Sequence, residues 1–159
     1  MKEIADNSSQ TITVFREDLC GFADSAQHSA AQLVLVQDRC FSSLMEMEHI
    51  LYKQNAYRIM KTGPGSHEWK MVDVDHHSCR LGQSIDSHDK YQGLRAFDEL
   101  KQPHETFHLK AMEILAYLQQ DWCDDKALRI SIYEAFQEIE AISSDFMQRM
   151  NQVAHLHDK

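Results

Sequence analysis

Between about residue 9 and Thr62 the chain contains no proline and a single glycine, Gly21, so little in it would stop a helix. Over that span Ile12, Phe15, Leu19, Phe22, Ala26, Leu33, Val36 and Cys40 recur at steps of three, four or seven. The stripe continues through Leu44, Met47 and Leu51 to Ile59. Such steps place one apolar seam along a helix, facing partner helices. Gly21 is a place where the helix can bend, at a cost of about 1 kcal/mol relative to alanine. The rest of the chain agrees, since two prolines and five glycines in 159 residues leave turn and strand punctuation scarce. A hydrophobic share of 43% is enough for one core. The expected fold class is all-α.

The run Thr62-Gly63-Pro64-Gly65-Ser66 ends the first helix. A loop to about Asp75 comes next, with Trp69, Met71 and Val74 folding back on the bundle. A short second helix is expected from near His77 to Ser87, and residues 88–94 read as loop. A third helix covers roughly Arg95 to Gln120, where Pro103 should kink it or open a fresh helical turn. Trp122-Cys123-Asp124-Asp125 makes the next turn, with an aspartate placed to cap the last helix. That fourth helix, Lys126 to about His155, carries the stripe Leu128, Ile132, Phe136, Ile139, Ile142, Phe146, Met150 and Val153. The pattern predicts a four-helix bundle with an N-terminally extended first helix and a short second helix. Residues 1–40 read as a coiled-coil-like linker whose first eight residues fray, and 41–159 as the bundle proper. An extended apolar seam needs a cover, and a homodimer supplies one.

Charge narrows the partners. With 16 basic and 25 acidic residues the net charge is -9, which argues against a nucleic-acid partner. No signal peptide and no long apolar run is present, so neither export nor a membrane span is indicated. Cys20, Cys40, Cys79 and Cys123 lie far apart with no C-x-x-C pair, which suits reduced thiols in the cytoplasm. Of these, Cys20, Cys40 and Cys123 read as packing residues.

Ten histidines are many for a chain of this length, and two form His104-Glu105-Thr106-Phe107-His108. Four residues apart on a helix, His104 and His108 share a face one turn apart, a spacing suited to two ligands on one metal. Pro103 just before them fits the first turn of a helix. His49 lies beside the apolar stripe of the first helix. Cys79 lies near the start of the second, where the positive end of the helix dipole favours a thiolate. Three imidazoles and one thiolate make a closed tetrahedral set suited to Zn²⁺. His28, His67, His76, His77, His88, His155 and His157 read as surface residues, with Asp75 and His76 as candidates for orienting a ligand.

His49-Ile50-Leu51-Tyr52, then Cys79-Arg80-Leu81-Gly82, then His104-x-x-x-His108 resemble, in this order, the motif of the chemoreceptor zinc-binding domain. The intervals suit it too: 26 residues lie between Tyr52 and Cys79, and 24 between Cys79 and His104. The resemblance covers roughly residues 40–120. It implies a cytoplasmic regulatory module of the kind joined to soluble chemoreceptors or diguanylate cyclases, holding zinc through His49, Cys79, His104 and His108. An output signalling domain, in cis or in trans, is then the expected partner. One departure stands out: Ser84 occupies a position where the family carries an aromatic or bulky apolar residue.

A soft ligand among three harder ones lets either zinc occupancy or oxidation of Cys79 act as a switch. Two other readings use the same residues. His104-Glu105-x-x-His108 spells the zinc-peptidase signature, with Glu105 as general base, although Ala111 stands where one subclass requires glycine. Glu46-x-x-His49 and Glu105-x-x-His108 fit half of a ferritin-like di-iron set, which also needs glutamates from two further helices. The peptidase reading needs a third ligand and an open water position, and the di-iron reading gives Cys79 no role. The chain is not expected to be an enzyme.

Overall fold

Every regular element in the computed structural model is an α-helix, and no strand occurs among the residues described, 2–87, 91 and 93–155. Among the described residues six helices form: α1 (Lys2–Thr62), α2 (His67–Val72), α3 (Arg80–Asp86), α4 (Arg95–Asp98), α5 (Lys101–Leu118) and α6 (Lys126–Ala154). Helix α1 starts at Lys2 rather than after the eighth residue, and runs through Gly21 without ending. It stops where the glycines stop it. The Gly63 amide donates to the Ile59 carbonyl at 2.8 Å, and Gly63 takes a left-handed φ of 74° that a side chain would resist.

The segment expected as loop after Ser66 contains α2. Its cap is local: the Ser66 hydroxyl accepts from the Trp69 amide at 3.1 Å. Trp69 and Val72 are buried as the fold-back predicts, whereas Met71 is 47% exposed. The single helix expected from Arg95 divides into α4 and α5, and Pro103 supplies the reason. Lacking an N–H, it cannot bond the Glu99 carbonyl one turn back. Arg149 of α6 donates to that freed carbonyl instead, at 3.4 Å. Helix α6 begins as expected, with Asp125 accepting from the amides of Ala127 and Leu128 at 2.7 and 3.2 Å.

The chain divides into two units, residues 1–37 and 38–159. In the first, Ile12, Phe15, Leu19, Phe22, Leu33 and Val36 are all more than half exposed. In the second, two apolar clusters form the core. One joins Ala56 and Ile59 of α1 to Trp69, Val72, Phe107, Ile114 and, from α6, Ile132 and Ile139. The other joins Met45, Leu81, Tyr91, Phe97, Leu100, Phe146 and Met150. Two buried polar groups tie α1 into it: the Ser42 hydroxyl donates to the Met150 carbonyl at 2.7 Å, and the Tyr91 hydroxyl to Asp38 at 2.9 Å.

Two expectations change here. Met47 and Leu51 are 56% and 52% exposed, because the buried face of α1 is set by Met45, His49, Tyr52, Ala56 and Ile59. At about 3.6 residues per turn, Met47 and Leu51 fall on the other side of that helix. Cys20, Cys40 and Cys123 are exposed rather than packed. None of the helices is long and apolar enough to cross a membrane, among the described residues.

Candidate metal centre

Where the two apolar clusters meet, a cavity of about 50 Å³ opens between α1, α3, α5 and α6. His49 reaches it from α1, Cys79 from the residue preceding α3, and His104 and His108 from adjacent turns of α5. Phe107 and Phe146 wall it. The ligating atoms of Cys79, His104 and His108 all lie within 4.8 Å of one another. Tetrahedral zinc, with bonds of about 2.0–2.3 Å, would hold its ligand atoms about 3.3–3.8 Å apart, which is inside that limit.

Each of the three is held by its surroundings. The Cys79 sulfur accepts from the Gly82 amide at 3.3 Å, which caps α3, and sits 3.0 Å from Nε2 of His104. Asp75 shapes the approach, its Oδ1 accepting from the amides of His77 and Ser78 at 2.9 and 2.8 Å. So Asp75 orders the turn before Cys79 and does not orient an imidazole. Nδ1 of His108 lies 2.9 Å from the Val74 carbonyl. A carbonyl can only accept, so Nδ1 carries the proton and Nε2 keeps its lone pair for a metal. Tyr52 supports the same segment: its hydroxyl donates to the Val72 carbonyl at 2.7 Å, and its ring lies 4.6 Å from that of His108.

His49 stands apart from the close group of three. It lines the same cavity with 7% of its surface exposed, its ring 3.8 Å from Phe107 and 4.2 Å from Phe146. Its Nε2 is buried without a hydrogen-bond partner. A buried nitrogen left this way costs about 1–3 kcal/mol unless something meets it. A cation held by the other three would do so.

The electrostatics prepare imidazoles for ligation. Burial, aided by the neighbouring imidazoles, pushes His49 and His104 down to about 3 from 6.5. Burial also lowers His108, against the opposing pull of its bond to Val74. All three are therefore neutral at pH 7, the form that binds metal. Burial raises the Cys79 thiol, while the amides of Gly82 and Leu81 pull the other way.

Gly82 has a role that spacing alone does not reveal. A Cβ there would stand 1.7 Å from the His76 carbonyl oxygen and 2.9 Å from the His77 Cα. The turn carrying Cys79 thus rests directly on the backbone of α3. Ser84 is half-buried, and α3 packs through Leu81 and Ile85. The Glu105 side chain is exposed, while Glu46 is partly buried and raised by that burial. Glu48, beside His49, pairs with Arg80 at 2.9 Å and links α1 to α3. His28, His67, His77 and His155 are exposed and His76 is half-buried; His88 and His157 lie outside the described residues.

A cavity of ion size, one orphaned nitrogen and a donor set of three imidazoles and a thiol fit Zn²⁺. Residues 49–115, which span all four of these side chains, match the family model of the chemoreceptor zinc-binding domain. No curated protein and no solved structure matches the chain.

Proposed function

Taking that match as premise, we propose that the chain is a zinc-binding regulatory module of a cytoplasmic signalling system of the chemotaxis or cyclic-di-GMP type. The observation that carries the reading is the trio Cys79, His104 and His108, its donor atoms within 4.8 Å and its His108 tautomer set by Val74. His49 completes the set with its orphaned Nε2. In this reading α1, α3, α5 and α6 act as the four helices of a bundle around the metal, with α2 and α4 as its connectors.

When bound, Zn²⁺ supplies a cross-link between these helices and a reason for Cys79 to stay a thiolate. The chain's own residues do the rest. Phe107 and Phe146 keep water from the imidazoles, Val74 holds the His108 proton at Nδ1, and Gly82 seats the Cys79 turn. Cys79 is the labile member. It is the least buried of the four ligands and sits at the start of a seven-residue helix. An oxygen-donating oxidant such as hypochlorite would take two electrons from the thiolate sulfur, leaving a sulfenate and chloride. A sulfenate would hold the metal less well, and Cys79 would then no longer tie α3, which pairs with α1 through Arg80 and Glu48, to the site. Helix α1 carries the exposed seam of Ile12, Phe15, Leu19 and Phe22, which serves a homodimer, and an output domain in cis or in trans reads the change.

Zinc stoichiometry of the wild type and of Cys79→Ala tests the site. One zinc per chain, bound more weakly by the variant, is expected; no zinc, or an unchanged affinity in the variant, rejects it. The switch is tested separately by hypochlorite. If doses that oxidise Cys79 leave zinc content and helical signal unchanged, the switch is wrong.

A further inference from the structure

The three histidines of the site are 7%, 3% and 5% exposed, and the cavity they share holds about 50 Å³. A hydrated dication cannot enter whole, since each water of its shell claims about 30 Å³. Waters of the shell must therefore be given up on the way in, and protein donors can take their places.

A line of imidazoles leads outward from the site. His108 and His104 have ring centroids 4.9 Å apart, His104 and His76 are 6.2 Å apart, and His76 and His77 are 4.0 Å apart. The line ends at the surface, where the His77 side chain is 62% exposed. His77 is also oriented: its Nδ1 lies 2.8 Å from Asp86 Oδ2. That contact engages Nδ1 and leaves Nε2 out of it, the way ligating histidines are commonly held. The backbone of His76 is fixed as well. Its carbonyl oxygen lies 3.5 Å from the Cys79 sulfur and against Gly82, which has no Cβ to displace it.

Resting on the zinc reading above, we propose that His77 and His76 form a relay that carries the metal cation from solvent to His104. His77 takes the hydrated ion by exchanging one water for Nε2, with Asp86 holding the ring. His76 replaces a second water, and His104 then draws the ion into the cavity as His77 lets go. Neither relay histidine lines the cavity or belongs to the close trio of donors, which sets both apart from His49, Cys79, His104 and His108.

A group that binds the ion only in passing lowers the barrier equally in both directions. The relay therefore sets the rates of loading and release and leaves the affinity alone. A resident ligand would change the affinity, and a bystander would change nothing.

The experiment is stopped-flow loading of the full chain with Zn²⁺ and release to an excess of chelator. It compares the wild type with His76→Ala, His77→Ala and the double variant. Helical content is recorded for each; His77 is exposed and His76 half-buried, on a turn ordered by the Asp75 carboxylate. The double variant is expected to load and release about tenfold more slowly, the effect of ~1.4 kcal/mol in the barrier, at unchanged equilibrium affinity. His76→Cys, which restores a donor, is expected to recover much of the lost rate. Unchanged rates in the double variant overturn the relay, and so does a weakened affinity, which would make His76 a resident ligand. A wild type that binds no zinc fails at the first step and overturns the zinc reading along with it.

Discussion

The sulfur of Cys79 and Nε2 of His104 lie 3.0 Å apart, with His104 neutral and the thiol raised by burial. In the metal-free protein this contact is a thiol–imidazole hydrogen bond. A shared cation would replace it, pushing the two atoms slightly apart and taking the thiol proton to solvent. Zinc uptake should therefore release about one proton per ion near pH 7. Calorimetry in buffers of different ionisation enthalpy reads that number, and zero release would mean that Cys79 is not ligating.

The orphaned Nε2 of His49 makes an unusual sign prediction. In His49→Phe the ring keeps its place between Phe107 and Phe146 and the unmet nitrogen disappears. The metal-free variant should be as stable as the wild type or more so, by about 1 kcal/mol, while its zinc affinity falls. Denaturant melts and chelator competition check the two halves. An unchanged affinity would remove His49 from the ligand set.

Gly82→Ala should damage the site without touching a donor. Its Cβ would meet the His76 carbonyl at 1.7 Å, and that atom is backbone, so the Cys79 turn must move. A stability loss of about 1–3 kcal/mol is expected, as for other overpacked sites. Zinc binding should weaken by about 10- to 100-fold, as when other groups that support a ligand are lost. A variant that melts and binds like the wild type would contradict the close contact.

Acid should destabilise the metal-free protein in a defined window. His49 and His104 are held at about 3 in the fold and return to 6.5 when it opens. Between those values the unfolded chain takes up protons that the folded one refuses, so stability drops as pH falls below 6.5 and levels off near 3. Each histidine contributes a slope of up to about 1.4 kcal/mol per pH unit. Urea midpoints across pH 4–8 measure it; a flat profile below 6.5 would mean the imidazoles are not held neutral.

Leu19→Asp with Phe22→Asp should leave zinc binding intact and abolish self-association. Both side chains are exposed, at 51% and 74%, in the unit of residues 1–37. Sedimentation of wild type and variant, zinc-loaded, is the measurement. A wild type that stays monomeric at high concentration would dismiss the homodimer.

The helical class and most of the α6 stripe were legible because periodicity reports them directly: Ile132, Phe136, Ile139, Phe146, Met150 and Val153 are buried, and Leu128 and Ile142 half-buried. The face of α1 was legible only in part. A helix apolar on two sides carries two stripes, and the exposed one, with Met47 and Leu51, keeps the same steps as the buried one. The split between α4 and α5 could be read only as a kink at Pro103, because the acceptor that lets the break settle at Glu99 is met by Arg149, 50 residues away. At the site, donor types and spacing pointed to four residues. The separate standing of His49 and the contact under Gly82 depend on tertiary packing, which spacing does not encode.

The carbonyl of Val74 sets the His108 proton, yet it belongs to the main chain. Every side chain at position 74 brings the same oxygen, so a substitution scan there should pass over it in silence. What the site requires of this stretch is length. One residue added or removed between Val72, held by Tyr52, and Cys79 would carry that oxygen away from the ring, and a site whose donors were all intact would lose its proton register.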